Sequence, residues 1–306
     1  MTATLAIIGT GIVGERIIKQ ALTVSELKII AIYDENKQRL HEIANKYQLA
    51  ATETLEELLD LQADWVYIGT PPVSHSPIAQ QIAARGLHIL SEKPLAHDAA
   101  DGEKMVAAVR EANVKSAMHF PMMYSPEVHA IKHAIDGGEL GRILRVELQA
   151  YFPQWPRPWQ QNPWIATREQ GGFIREVFPH YLQLTNYLFG GIEISAHETM
   201  YPEDPALCEI GATALAKTVG GIPMMINGLS GMAQKERIDY KVLGTKKTLT
   251  IRNWSELWES KTDETEVRIN PAIEPDNLLQ ACVNGGYIVS FEEGLKVQRW
   301  IDELLK

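Results

Sequence analysis

The sequence predicts an α/β protein: an N-terminal Rossmann domain with a doubly wound parallel sheet, followed by a C-terminal α/β domain with a mostly antiparallel open sheet. Three observations predict it. Up to about residue 119, short apolar runs alternate with helical segments, as βαβ units of a parallel sheet require. The first run leads directly into a glycine-rich turn, Gly9-Thr10-Gly11-Ile12-Val13-Gly14. Beyond His119 the strand-like runs lengthen and are separated by turns rather than regular helices. The change of pattern divides the chain into a first domain, residues 1–119, which carries the glycine turn, and a second, residues 120–306.

In the first part the expected strands are Leu5 to Ile8, Lys28 to Tyr33, Trp65 to Ile68, His88 to Leu90 and Ser116 to Met118, each flanked by turn or cap residues. Asn36 to Tyr47 reads as a helix with Leu40, Ile43, Ala44 and Tyr47 on one face. Thr54 with Glu57 forms a capping box for the next helix. Ser76 followed by Pro77 begins another, which Gly86 stops. In the second part, Ile143 to Tyr151, Ile194 to Met200, Glu209 to Lys217, Met224 to Leu229, Tyr240 to Leu243 and Thr248 to Ile251 read as strands. Pro126 to Asp136 and Phe173 to Phe189 read as helices, and Ser290 to Leu304 as an amphipathic one carrying Leu295, Val297, Trp300, Ile301 and Leu304.

Composition narrows the function classes. A chain of 306 residues, 45% hydrophobic and 22% charged, has material for about two domains. With 29 basic against 39 acidic residues, net charge −10, it disfavours nucleic acid and anionic membrane as partners, because both would be repelled. Cys208 and Cys282 are lone thiols with neither CxxC spacing nor a nearby histidine pair, so no metal site and no disulfide framework is expected. A reducing cytoplasm fits. The amino terminus lacks a basic leader, and no apolar run approaches the length of a bilayer span.

The context of the glycine turn, after a strand and opening a helix, marks a dinucleotide site. Gly9 permits the tight turn, Gly11 lets the backbone approach the pyrophosphate, and Gly14 allows close helix packing. The helix start that follows, with Thr10, Ile12 and Val13 around it, offers N–H groups and a positive dipole end to phosphates. Asp34, at the carboxyl end of the second strand, can accept hydrogen bonds from ribose hydroxyls and would repel a 2′-phosphate. NAD is therefore favoured over NADP, with Lys37 and Arg39 nearby as bases that pull the other way. Gly69-Thr70-Pro71-Pro72 follows the strand Trp65 to Ile68 and either walls the nicotinamide ribose or forms an ordinary turn. His75 either points into the same crevice or faces solvent.

Two groups carry candidate chemistry. Glu92-Lys93-Pro94 ends a strand in the crevice where open α/β sheets bind cofactors, and a lysine there can reach a reacting oxygen beside a nicotinamide. Pro94 restricts Lys93 to extended backbone, and the bond between them is open to the cis isomer. On the helix Phe173 to Phe189, entered through Gly171-Gly172, Glu176 and His180 stand four residues apart on one face, so the carboxylate can orient the imidazole as a proton acceptor. Pro179 would interrupt the helix ladder beside His180. Tyr151, Phe152, Trp155, Trp159 and Trp164, amid prolines, are either a sugar-stacking wall or core and interface residues.

With these residues assembled, the chain resembles the Gfo/Idh/MocA oxidoreductases over essentially its whole length. The specific matches are Gly9 to Gly14, Thr70-Pro71-Pro72-Val73-Ser74-His75, the run Gly86 to Ala96 containing Glu92-Lys93-Pro94-Leu95, Gly138-Glu139-Leu140-Gly141, and Gly171-Gly172 leading to His180. The resemblance implies that Lys93 and His180 are catalytic, that Pro94 frames the cofactor, and that the C-terminal open sheet forms a homo-oligomer interface, as a dimer or tetramer. Glu176 stands where the family usually has an aspartate, Gln183 replaces another, and Met123 precedes Tyr124-Ser125-Pro126 where many members have arginine. These departures imply a less polar substrate pocket. The expected activity is hydride transfer between NAD and a secondary alcohol or ketone of a sugar, polyol or related small molecule. Lys93 and His180 would then meet over the nicotinamide ring. The same resemblance reaches NAD-dependent glycosidases and pigment or imine reductases, and a non-catalytic dinucleotide sensor is the alternative from another class. Net NADH consumption separates the first of these; failure to turn over any carbonyl or polyol would favour the last.

Overall fold

The computed structural model describes residues 2–160, 162–273 and 277–306. The chain forms two compact units, Met1–Phe120 with Asp276–Gln298, and Pro121–Pro275 with Arg299–Lys306. Residues 276–298, read from the sequence as part of the second domain, thus fall with the first.

The first unit is built on a five-stranded parallel sheet, β1 (Ala3–Ile8), β2 (Leu27–Tyr33), β3 (Trp65–Ile68), β4 (His88–Ser91) and β5 (Ser116–Met118), in the order β2-β1-β3-β4-β5. Leu5, Ala6, Ile7 and Ile8 are all buried, as are Trp65 to Ile68, because helices cover both faces of a parallel sheet. Those helices are α1 (Ile12–Ala21), α2 (Lys37–Tyr47), α3 (Leu55–Asp60), α4 (His75–Ala84) and α5 (Ala99–Ala112). Asn36 caps α2 by accepting from the Arg39 N–H, and the Thr54–Glu57 capping box forms at α3 as the spacing predicts. α4 begins at His75, one residue before the expected Ser76, after a short 3₁₀ turn over Pro72–Ser74.

Residues 277–298 return to this unit. They include α8 (Leu278–Asn284), the connection that holds Val289, and the start of α9 (Phe291–Leu304); the Met118 N–H donates to the Val289 carbonyl oxygen at 2.8 Å and the Phe291 N–H donates to Ser116 Oγ at 3.1 Å.

The second unit holds α6 (Pro126–Asp136), β6 (Ile143–Phe152), α7 (Phe173–Phe189), β7 (Ile192–Met200), β8 (Gly211–Thr218), β9 (Pro223–Ser230), β10 (Arg237–Gly244), β11 (Thr248–Arg252), β12 (Glu256–Ser260) and β13 (Val267–Ile269). Its eight strands run in the order β13-β12-β11-β10-β6-β9-β8-β7, antiparallel except for the β6–β9 pair. β12 and β13 go beyond the strands read from sequence. In β8, Ala212, Ala214 and Ala216 are buried while Thr213, Leu215 and Lys217 face outward, the period-two pattern of a sheet covered on one side. α7 lies against β9 where Gly228 has no side chain: a Cβ there would come within 2.6 Å of Phe173 and 2.7 Å of Phe178. Deeper in, the Tyr181 and Tyr240 rings stack at 6.0 Å.

Candidate active site

Because the strands of the first sheet are parallel, the residues that follow β1, β2, β3 and β4 emerge at one edge: Gly9 to Gly14, Asp34, Thr70 to Pro72, and Glu92 to Pro94. Gly9 sits at φ +89, and a Cβ on it would press on the Gly69 backbone at 2.7 Å, so both the turn and the neighbouring loop require glycine there. A Cβ on Gly14 would drive into the Gly9 carbonyl oxygen. Gly11 differs: its Cβ would meet nothing within 4 Å. It is the N-cap of α1 and provides no side-chain cap, and Ile12 and Val13 beside it are 61% and 37% exposed. Open space therefore faces an uncapped helix N-terminus, which fits the pyrophosphate of a dinucleotide.

Asp34 Oδ2 accepts from the Thr10 N–H at 2.6 Å and the Thr10 hydroxyl at 2.9 Å, and Oδ1 accepts from the Asn36 N–H at 2.9 Å. Thr10 is fully buried, so it ties the glycine loop to the end of β2. His75 does not face solvent. It is buried at 0% exposure, with Nε2 2.8 Å from the Thr70 carbonyl oxygen and Nδ1 at 3.1 and 3.2 Å from those of Pro94 and Leu95. The imidazole thus links the loop after β3 to the loop after β4. In the former, the Ser74 hydroxyl donates to Thr70 Oγ1 at 2.7 Å; Pro72 is buried and Pro71 exposed.

Glu92 is turned inward. Its Oε1 accepts from the Tyr67 hydroxyl at 2.9 Å and lies 2.5 Å from His119 Nδ1, while Oε2 accepts from the Lys93 N–H at 3.3 Å. Burial alone would raise this carboxyl, but the His119 ring and the Tyr67 hydroxyl outweigh it and hold Glu92 well below the usual carboxylate range. Lys93 follows as a half-buried residue, and the Lys93–Pro94 bond is cis. The partners Tyr67 and His119 escaped the sequence reading, although His119 follows β5 just as Lys93 follows β4, and the same strand-end logic would have found it.

In the second unit, α7 begins where Gly172, at φ +99, lets the chain turn against Glu209. Glu209 is 1% exposed and its Oε1 accepts from the Ile174 N–H at 2.7 Å, capping the helix from 35 residues away. Burial pushes its carboxyl up to about 7. The helix continues through Pro179, and both Glu176 and His180 are half-buried on it. The His180 ring meets Trp254 edge-on at 5.3 Å. Of the aromatic stretch, Phe152 and Trp155 pack on Phe173 at 5.6 and 6.1 Å, core contacts that extend to Phe178, whereas Trp159 is 57% exposed. The Arg157 guanidinium lies over Phe152 at 5.1 Å and 3.3 Å from Glu236, in a setting of burial that lowers its basicity. Gln183 and Met123 are both buried. Among the described residues no group of three His, Cys, Asp or Glu side chains could hold a metal, and no helix is long and apolar enough to cross a membrane.

Comparison with known proteins identifies the family. Residues 3–120 match the sequence model of an oxidoreductase family with an NAD-binding Rossmann fold, and residues 128–250 match the C-terminal domain of the same family. Inositol 2-dehydrogenase from Rhizobium meliloti is 24% identical over 201 residues, 65% of this chain and 58% of that protein. dTDP-3,4-didehydro-2,6-dideoxy-alpha-D-glucose 3-reductase from Streptomyces violaceoruber is 26% identical over 253 residues, 79% of this chain and 72% of that protein. The match thus spans under two thirds of the length of the first of these relatives. In fold, the WlbA dehydrogenase from Bordetella pertussis, solved with NADH and UDP-GlcNAcA, superposes with a TM-score of 0.82 at 21% identity, covering 99% of this chain and 95% of that one. The chain belongs to the Gfo/Idh/MocA family of oxidoreductases, and residues 3–120 are that family's NAD-binding Rossmann fold.

Proposed function

We propose that this protein is an NAD-dependent dehydrogenase or reductase that interconverts a secondary alcohol and a ketone on a sugar, polyol or related small molecule. The observation that carries the reading is the single edge of the parallel sheet, where the uncapped start of α1, Asp34 and Lys93 all emerge. When bound, the nicotinamide supplies or accepts the hydride. Lys93 stabilises the substrate oxygen as charge develops on it and shares in its proton transfer. His180 exchanges the hydroxyl proton, and Glu176, one turn before it, orients the ring. Glu92 contributes through the backbone: anchored by Tyr67 and His119, it accepts the Lys93 N–H and fixes the segment from which the lysine projects. His75 performs the same service for the Thr70 and Pro94 loops.

Residues 1–119 would serve the cofactor and residues 120–306 the substrate and assembly. The outward Leu215 and Met225, 51% and 39% exposed on the open sheet, support a homo-oligomer formed through that face, and the unpaired thiols of Cys208 and Cys282 support a cytoplasmic setting.

Lys93→Met tests the reading. NADH affinity is expected to stay at the wild-type value in a fluorescence titration, while turnover of a substrate found in a polyol and keto-sugar screen falls by a factor of about 10² or more. Unaltered turnover removes Lys93 from the mechanism. Product formation without net NADH consumption would replace the dehydrogenase with a glycosidase.

A further inference from the structure

Arg39 stands near the start of α2, a few residues past Asp34, where a base can read the 2′-phosphate of NADP. Its Nε donates to the Thr10 carbonyl oxygen at 3.0 Å, so the guanidinium lies against the nucleotide loop itself. Both terminal nitrogens are engaged by carboxylates: Nη2 donates to Glu15 Oε2 at 2.6 Å and Nη1 to Glu42 Oε1 at 2.8 Å. Glu15 is fixed in turn. Its side chain is 14% exposed, and Oε1 accepts from the Tyr47 hydroxyl at 2.7 Å and the Lys46 ammonium at 2.9 Å. Tyr47 first, then Lys46 and Arg39, hold this carboxyl at about 2 despite its desolvation, so it is an anion throughout the neutral range. Lys37, the other base near Asp34, is engaged as well, with its ammonium on the Glu53 carbonyl oxygen, 3.4 Å from the Glu53 carboxylate and 5.0 Å from the centre of the Tyr33 ring. Among the described residues Asp34 makes no ion pair; its oxygens take the donors of Thr10 and Asn36.

We propose that Glu15 determines cofactor specificity by clamping Arg39, together with Glu42, so that the base placed to read a 2′-phosphate is already occupied. The inference rests on the NAD reading and adds a second device to it. Asp34 repels the phosphate, and the clamp withholds the counter-charge that would offset that repulsion. Arginine binds phosphate and carboxylate through the same planar fork, so Glu15 and NADP compete for one group rather than acting on separate ones.

The test is the ratio of NADPH to NADH affinity, read by fluorescence titration, which needs no substrate. On an Asp34→Ser background, adding Glu15→Gln is expected to move the ratio toward NADPH by about tenfold. Adding Arg39→Met to that double variant is expected to abolish the gain. Glu42→Gln, at a carboxylate 58% exposed where folding is not at stake, is expected to give a smaller shift in the same direction. The clamp is overturned if neither Glu15→Gln nor Glu42→Gln moves the ratio, or if the gain survives loss of Arg39. A wild-type protein that binds neither nucleotide would instead sink the NAD reading, whereas tight NADH binding with flat variants sinks only the clamp.

Discussion

Glu209→Gln is expected to stabilise the protein in mildly alkaline solution and to leave it nearly unchanged in acid. The carboxyl is pushed from 4.5 to about 7 by burial, against the pull of the Ile174 N–H. A raised acid favours the folded state while it is protonated. Its contribution is therefore complete below the unfolded value and is lost as pH rises through about 7. A displacement of that size corresponds to about 3 kcal/mol between the two ends of the range. The start of α7 acts the other way, since a helix dipole favours an anion at its N-terminus, but that effect reaches only about 2 kcal/mol in favourable partly buried geometries. Burial wins on magnitude. Gln keeps an oxygen for the Ile174 N–H and never ionises, so it escapes the alkaline penalty. Urea denaturation of both proteins at pH 5 and pH 8.5 gives the double difference; a value of about 2–3 kcal/mol in favour of the variant at the higher pH is expected. A double difference near zero refutes the burial reasoning. A variant less stable at the higher pH shows instead that the helix terminus holds Glu209 as a needed anion.

Other expectations follow from the first unit. His119→Leu leaves the Glu92 carboxylate buried with the Tyr67 hydroxyl but without the imidazole, and breaking such a buried pair costs about 3–5 kcal/mol of stability; a shift in the urea midpoint worth under about 1 kcal/mol would show that the contact carries little. Gly14→Ala and Gly11→Ala separate packing from ligand approach. At Gly14 the added methyl meets the Gly9 carbonyl oxygen, so the melting temperature is expected to fall. At Gly11 it meets nothing, so stability is expected to hold while NADH affinity drops by about tenfold or more. Equal NADH affinity in Gly11→Ala would place the pyrophosphate elsewhere.

What the sequence made legible was local. The Thr54–Glu57 box, the Pro126 and Gly172 helix starts and the parallel strands are each decided by residues within a few positions, and each formed near its expected bounds. β12 was not legible because Leu257 is its buried residue amid half-exposed neighbours, which leaves no alternating apolar signal. The site divided along the same line. Gly9 to Gly14, Asp34 and Lys93 carry motif spacing, but Glu92 meets His119 across 27 residues, Arg39 meets Glu15 across 24 and Glu209 caps α7 across 35. No pattern within one segment encodes a partner in another. His75 could be assigned to crevice or solvent by sequence, and the structure excludes solvent, because the ring is buried among three backbone carbonyl oxygens.

The return of Val289 and Phe291 to the edge of β5 bears on the order in which the polypeptide acquires its shape. The nucleotide-binding half is encoded first, yet its outermost strand donates from the Met118 N–H to the Val289 carbonyl oxygen and accepts the Phe291 N–H at Ser116 Oγ. During synthesis on the ribosome that strand edge must wait, unsatisfied, until the whole intervening sheet has been made. Severing the chain at 119 would leave the same edge bare, so a liberated amino-terminal fragment is expected to self-associate through it rather than persist as a free nucleotide binder.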